Sequence, residues 1–564
     1  MPEPRSVDTL IHNAYVVTMD RDRRVFTDGW LAFDGGRIVG VGSMGGSSMD
    51  RAPTDGAWTD EARPDGAPTD GTRANEAWAD EAGGDRSRAD RAQAEGAPSD
   101  GARADGVQTD RVPTHGARMG DCGFVGRRSI DARGRMVIPG IANAHNHLVQ
   151  NAFRGYNDDR WPVLDIPAAV VALLHQLQAL TARLDAERAF ILTRAHTLDL
   201  LRSGYTATHD EHFTNIRKDS ADGSWAAVEA SGLRGFLCRC IVNADRMAAD
   251  GRETVEKGLQ EAERLRARFA SDRIEVATGF LNFQFLNDAG DMRRIVDGAA
   301  AMAMRVDVDM TDNSRGAALR ARGFEGGQVD YYARHGLLDQ PLYAGKAVSI
   351  LPHEYGLLAQ ADARVALVPM LRFFDGTGLH IHDFLAQGMM PGIGTDAPLV
   401  SDCQSPFEAM RMAILAQNIA VKRDKAAGLP PPDPAHWAVA ETMLEMATLG
   451  GARALFLDDR TGSLAVGKAA DCVMLDLSRA TTGPGADRRR DIGTVVWAGS
   501  TVNVDSVFVA GEALLEQGRS TRWDEEAVMA EARDVMSALI AEAGLDGLLP
   551  PRVPGRRFRG WTYQ

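Results

Sequence analysis

The sequence predicts an α/β fold: a TIM-like (β/α)8 barrel carrying a small β-sandwich domain built from both chain termini. Three observations predict it. Apolar strand-like runs recur at 137–145, 204–212, 235–242, 274–283, 303–311, 341–349, 364–370 and 389–396. Stretches of helical periodicity separate them, including 185–202, 254–268 and 381–387, and eight strand–helix units over about 250 residues is the repeat of a barrel. Short alternating strands with Asp-Gly and Gly-Gly turns appear before and after this region, at 8–43 and 462–511. A doubly wound sheet competes, but no Gly-x-Gly-x-x-Gly follows the first strand.

Taken in order, residues 1–44 supply the N-terminal part of the sandwich and 126–139 its return. The barrel is expected over 140–455, the C-terminal part of the sandwich over 456–525, and a helical tail over 526–564. Between the first two pieces, residues 45–125 cycle through Ala, Asp, Gly, Thr, Arg and Pro. Gly66-Ala67-Pro68-Thr69-Asp70-Gly71 nearly repeats as Gly96-Ala97-Pro98-Ser99-Asp100-Gly101. Such a stretch buries too little apolar surface to offset the ~1–2 kcal/mol per residue of lost backbone freedom, so a disordered low-complexity insertion is expected there.

The whole-chain numbers narrow the function. At 564 residues more than one domain is expected. A net charge of -15 argues against nucleic acid and anionic membranes as partners. The five cysteines are scattered and odd in number, which suits a reducing cytoplasm. Cys238 and Cys240, one residue apart, suit packing better than a bridge. No apolar stretch is long enough to span a bilayer. The expectation is a cytoplasmic, homo-oligomeric enzyme with a small-molecule substrate.

The most informative residues are His145-Asn146-His147, at the end of the run Val137-Ile138-Pro139-Gly140. Alternate strand residues point the same way, so both imidazoles face one side. Two neutral imidazoles so placed can share one divalent ion at ~2.0–2.1 Å. An arbitrary His-x-His is more often structural; here the strand before it and acids at later strand ends shift the balance. His147, His212, Asp312 and Asp396 all fall near strand C-terminal ends, where barrels place their chemistry. Arg154, just past the first strand, either anchors a substrate anion or braces its loop. Regular alternation in 204–212 prevents His209 and His212 from both facing the mouth, and His212 is taken as the substrate-pocket residue.

These motifs resemble the amidohydrolase superfamily, in its branch of aminohydrolases and chlorohydrolases acting on nitrogen heterocycles. The resemblance is carried by His145-Asn146-His147 behind Val-Ile-Pro-Gly, Phe153-Arg154-Gly155, Gly204-Tyr205-Thr206-Ala207-Thr208-His209-Asp210 and Gly394-Thr395-Asp396. Two further runs, 447–454 and 462–471, belong to it too. It implies a metal-dependent hydrolase acting on a C–N bond or ring amine by metal-activated water, with zinc as the expected ion. It also implies His145, His147 and Asp396 as ligands, Asp396 doubling as proton acceptor.

Two positions depart from the family pattern. Where a third histidine is expected on the fifth strand stands Asp309, and Asp312 takes the place of the usual glutamate. On the sixth strand, counting back from Glu354 puts Lys346 at the further histidine, or Gly345 if the register slips by one. The expected ligand set is therefore His145, His147, Asp309 and Asp396, and the extra carboxylate admits Mn or Fe(II). Lys346 cannot ligate while charged. It can pair with Asp309 or Asp312, hold a substrate anion, or replace the metal. Two alternatives follow: a metal-altered or metal-free enzyme using Lys346, Asp309 and Asp312 for non-hydrolytic chemistry, or an inactive barrel that serves as a binding module.

Overall fold

The computed structural model describes residues 4–45, 49–51, 122–154, 178–245, 247, 249–312, 316–375, 378–483 and 491–544. Most of the 45–125 insertion lies outside the described residues, as does the tail beyond 544.

The terminal strands join into one ten-stranded mixed sheet. Its N-terminal members are β1 (Arg5–Val17), β2 (Val25–Asp34), β3 (Arg37–Ser43), β4 (Met49–Arg51), β5 (Phe124–Asp131) and β6 (Arg135–Pro139). The barrel strands follow as β7 (Ile141–Asn143), β8 (Tyr205–His212), β9 (Arg234–Cys240), β10 (Ile274–Phe280), β11 (Val306–Thr311), β12 (Leu342–Val348), β13 (Arg364–Leu367) and β14 (Gly392–Ile393). The sheet is completed by β15 (Cys472–Asp476), β16 (Val504–Val509), β17 (Glu512–Glu516) and β18 (Arg519–Ser520). Strands far apart in its order share one core: the rings of Phe33 on β2 and Phe508 on β16 lie 5.9 Å apart. β4 and β5 carry the sheet a few residues into both ends of the low-complexity stretch, because Gly42 of β3 pairs with Met49 and β1 runs parallel to β5.

The eight barrel strands form a parallel sheet in sequential order from β7 to β14. Its ends meet where Ala144 N–H donates to Ile393 O (3.1 Å) and Asp396 N–H to His145 O (3.0 Å). The enclosing helices start where short polar side chains cap them: Asp185 accepts from Arg188 N ahead of helix Ala186–Arg202, and Asp288 from Asp291 N ahead of helix Ala289–Ala301. Outward-facing Val306, Val308 and Met310 of β11 pack into the apolar layer beneath these helices, while Asp307 and Asp309 alternate inward.

The expected first strand, 137–145, is two strands. β6 belongs to the terminal sheet and β7 to the barrel, with the chain crossing between them at Gly140. A Cβ on Gly140 would fall 2.1 Å from Thr206 Oγ1, so only glycine fits this crossing. The same junction is pinned by a buried ion pair: Arg234, opening β9, forks onto Asp471 at 2.6 and 3.0 Å, and Asp471 also accepts from Ala510 N. Helix Glu525–Ala543 packs on helix Ala186–Arg202 through Arg188–Glu542 and Arg194–Glu531 pairs. Among the described residues no helix is long and apolar enough to cross a membrane.

Candidate metal centre

The barrel interior is filled by stacked rings that end at the candidate centre. Phe236 lies 5.6 Å from Tyr343, and Tyr343 stacks on His209 at 4.5 Å and 19°. His145 continues the column, nearly parallel to Tyr343 at 6.3 Å and 7°. This stack requires a small neighbour: a Cβ on Gly345 would lie 3.0 Å from His145 Cε1 and Nδ1.

Above the stack, His145 and His147 sit just past the end of β7, both buried. Their hydrogen bonds fix their tautomers. Tyr343 Oη donates to Ala144 O (2.6 Å), so it can only accept from His145 Nδ1–H (2.9 Å). His147 Nδ1 lies 2.8 Å from Glu211 O, a carbonyl that can only accept. Both rings therefore carry their proton on Nδ1 and aim the Nε2 lone pair into the barrel, as metal-binding histidines do. Burial, and then the nearby Lys346 charge, holds the His145 pKa well below its ordinary value, so this ring is neutral.

Two carboxylates meet these lone pairs. Glu211 Oε2 lies 3.6 Å from His147 Nε2 and 4.0 Å from His145 Nε2. Asp396 Oδ1 lies 3.3 and 3.9 Å from the same atoms. Neither Glu211 oxygen nor His145 Nε2 has a hydrogen-bond partner among the described residues. Each of these carboxylate oxygens stands 3.3–4.0 Å from both imidazole nitrogens, a separation that suits an ion ~2.0–2.2 Å from oxygen and nitrogen alike. His145, His147 and Glu211 alone already meet the spacing of a metal-holding group. The residues present thus fit a divalent ion.

The remaining sequence-derived candidates separate into those inside this cluster and those outside it. Asp309 is inside but engaged: its Oδ2 takes Lys346 Nζ at 2.8 Å and its Oδ1 the Thr311 hydroxyl at 2.5 Å. Lys346 Nζ also reaches Asp396 Oδ2 at 3.3 Å. Burial opposes the ammonium, but Asp309, Asp396 and Glu211 outweigh it and raise the Lys346 pKa, so it stays charged. Burial pushes the Asp396 carboxyl up; Lys346 and the imidazoles more than reverse this, holding it well below the usual range. For Glu211 burial prevails, reinforced by neighbouring acids, and its pKa is raised well above normal. A bound cation would relieve that penalty.

Two candidates, His212 and Arg154, lie elsewhere. The structure places His212 on the outer face of β8, its Nε2 3.0 Å from Ser220 Oγ at the start of helix Ser220–Ser231. Asp210 shares that face and accepts from Trp225 Nε1 and Leu148 N. The inward face of β8 is instead His209 and Glu211, with His209 Nε2 on Asp307 Oδ2 at 2.7 Å. Arg154 is spent on Asp199 at 2.7 Å, the loop-bracing role. Asp312, at the end of β11, binds Gly316 N at 2.8 Å through Oδ2.

Sequence reasoning missed Glu211 because β8 is buried on both faces, leaving two alternating sets and no polarity difference between them. The deciding signal is three-dimensional: Ser220 and Trp225 on the neighbouring helix supply partners for His212 and Asp210, and none of the described residues hydrogen-bonds the Glu211 carboxylate.

A polar network fixes the loops that carry the centre. Thr395 Oγ1 and Asn146 Nδ2 both donate to Gln404 Oε1, at 2.7 and 3.1 Å, and Asn143 hydrogen-bonds Thr395. Asp396 itself has φ +63°, a left-handed conformation that turns its carboxylate toward the imidazoles.

Comparison with known proteins identifies the family. The amidohydrolase family profile matches residues 136–514. The 5-methylthioadenosine/S-adenosylhomocysteine deaminase of Desulforudis audaxviator is 27% identical over 421 residues, covering 74% of this chain and 90% of that protein. The 5'-deoxyadenosine deaminase of Methanothermobacter thermautotrophicus is 28% identical over 414 residues, covering 71% and 86%. Among solved structures, a zinc-bound adenosine deaminase from Xanthomonas campestris superposes with a TM-score of 0.70 at 21% identity, covering 95% of this chain and 100% of that one. A zinc-bound atrazine chlorohydrolase from Arthrobacter aurescens gives 0.71 at 20%, covering 94% and 100%. The chain belongs to the amidohydrolase family, as a hydrolase of carbon–nitrogen bonds other than peptide bonds.

Proposed function

We propose that this enzyme deaminates an amino-substituted nitrogen heterocycle hydrolytically, with an adenine nucleoside as the first substrate class to test. The observation that carries the reading is the convergence of two tautomer-locked imidazole lone pairs with Glu211 and Asp396 in one buried cluster. His145, His147, Glu211 and Asp396 would hold the ion, Glu211 taking the ligand role that the sequence suggested for Asp309. Zinc is the first candidate, and the two carboxylates also admit Mn or Fe(II).

When bound, such an ion supplies the Lewis acidity that lowers the pKa of a water from 15.7 toward ~7. Asp396, kept anionic by Lys346, would act as the proton acceptor beside the ion. The stacked floor of Tyr343, His209 and Phe236 closes the barrel below the centre, so substrate enters from the C-terminal face. Lys346 is held by two carboxylates, which favours this hydrolytic reading over one in which its amine performs the chemistry. A cytoplasmic location and a homo-oligomeric state belong to the same proposal. The first is supported by described cysteines that form no disulfide, and the second is checked by light scattering.

The test is ammonia release by the purified chain from adenosine, 5'-methylthioadenosine and amino-triazines. Chelation should abolish release, Zn or Mn should restore it, and the His145→Ala/His147→Ala double variant should stay inactive. Failure of any divalent ion to bind or to support release from this panel would overturn the reading.

A further inference from the structure

We infer that the Lys346 ammonium is a built-in cation that limits the metal centre to a single divalent ion. The inference rests on the metal-centre reading above and concerns a different property, the number of ions the centre accepts.

The first observation is how Lys346 enters the barrel. On β12, Tyr343 and Gly345 face the axis, against His145. Regular alternation would send the next residue, Lys346, outward among the helices. The strand instead bulges: Asp309 pairs with Gly345, but Thr311 pairs with Val348, so three steps on β12 oppose two on β11. Lys346 and Ala347 take up the extra residue with φ of +60° and +45°, a region that non-glycine residues enter only at a cost. The bulge turns the lysine inward, beside Gly345 rather than opposite it.

The second observation is where the ammonium arrives. Nζ lies 2.8 Å from Asp309 Oδ2 and 3.3 Å from Asp396 Oδ2. Asp396 is thereby divided: Oδ1 faces the imidazoles and Oδ2 faces the lysine. A carboxylate shared between two cations is the arrangement of two-metal centres, whose ions stand about 3.5–4 Å apart. Here the second cation is the lysine. With Glu211, Asp309 and Asp396 ionised, one divalent ion and one ammonium balance the three carboxylates. Without that ammonium, Asp309 Oδ2 and Asp396 Oδ2 become free oxygen donors beside the first ion. Lys346 is therefore a positioning residue: it fixes Asp396 as a one-oxygen ligand and fills the second cation position.

The test is Mn2+ stoichiometry by equilibrium dialysis, with electron paramagnetic resonance of the bound ion. It uses the chelator-stripped full chain as wild type, Lys346→Met and Lys346→Arg. The expected result is one uncoupled Mn2+ per chain in wild type and in Lys346→Arg, which keeps the charge. Lys346→Met should bind two ions with an exchange-coupled spectrum. Two ions in wild type, or a single ion in a folded Lys346→Met, would overturn the inference; the wild-type measurement decides its half even if Lys346→Met fails to fold. No bound ion in wild type would refute the metal-centre reading itself, an outcome distinct from a wrong ion count.

Discussion

Replacing Tyr343 by Phe isolates the device that makes His145 a ligand. The hydroxyl sits between His145 Nδ1 (2.9 Å) and Ala144 O (2.6 Å), fully buried. Burial, followed by the surrounding carboxylates, pushes its pKa well above normal, so it stays protonated. Phe keeps the ring and its stacking on His209 but leaves the His145 Nδ1–H and the Ala144 carbonyl without that partner. An unsatisfied buried donor costs about 1–3 kcal/mol. The ring can avoid part of the cost by moving its proton to Nε2, which removes the ligand lone pair. Loss of such outer partners lowers metal affinity ~10–100-fold, or about 1.4–2.7 kcal/mol at 1.36 kcal/mol per tenfold. Competition against a chromophoric chelator reads this directly as a Kd raised by one to two decades, with the far-ultraviolet dichroism unchanged. A Kd within twofold of wild type would show that the hydroxyl does not hold the tautomer.

Three further outcomes follow from the same geometry. Glu211→Gln should weaken metal binding beyond the ~10–100-fold expected for an outer partner, and more than Asp309→Asn does in the same chelator assay; the reverse order would return the ligand role to Asp309. Arg234→Met, which strands Asp471 at the barrel–sheet junction, should cost about 3–5 kcal/mol, seen as a lowered Tm, and Arg234→Met/Asp471→Leu should recover most of it. A loss below about 1 kcal/mol would remove that pair from the junction's stability. Cys403, the exposed thiol among the described cysteines, has its pKa raised to about 11 by burial of the sulfur and by Glu408. It should alkylate on the order of 100-fold more slowly at neutral pH than in the denatured chain, and fast labelling of the folded protein would contradict its place there.

The barrel was legible because its signal is repetitive: eight apolar runs at regular spacing survive errors at any one of them. Boundaries were not, as Pro139-Gly140 shows. An apolar run reads as continuous even where the chain leaves one sheet for another, since only Thr206 across the gap reveals the crossing. At the site, His145, His147 and Asp396 were visible because each follows a strand end in a recognisable motif. Glu211 was hidden by a strand buried on both sides. The uncertainty between Gly345 and Lys346 has a physical origin in the bulge, which brings both residues to the interior and defeats any count based on alternation. His212 reads as a pocket residue for the complementary reason: its polar partner is a serine on the next helix, invisible to strand periodicity.

The central claim is that four residues, Glu211 among them, hold one ion. Anomalous diffraction at the zinc edge from zinc-loaded crystals tests it most directly. The account predicts one peak per chain, ~2.0–2.2 Å from His145 Nε2, His147 Nε2, a Glu211 oxygen and Asp396 Oδ1, with Lys346 still bridging Asp309 and Asp396. A peak bound through Asp309 with Glu211 turned away, or no peak at the paired histidines, would contradict it.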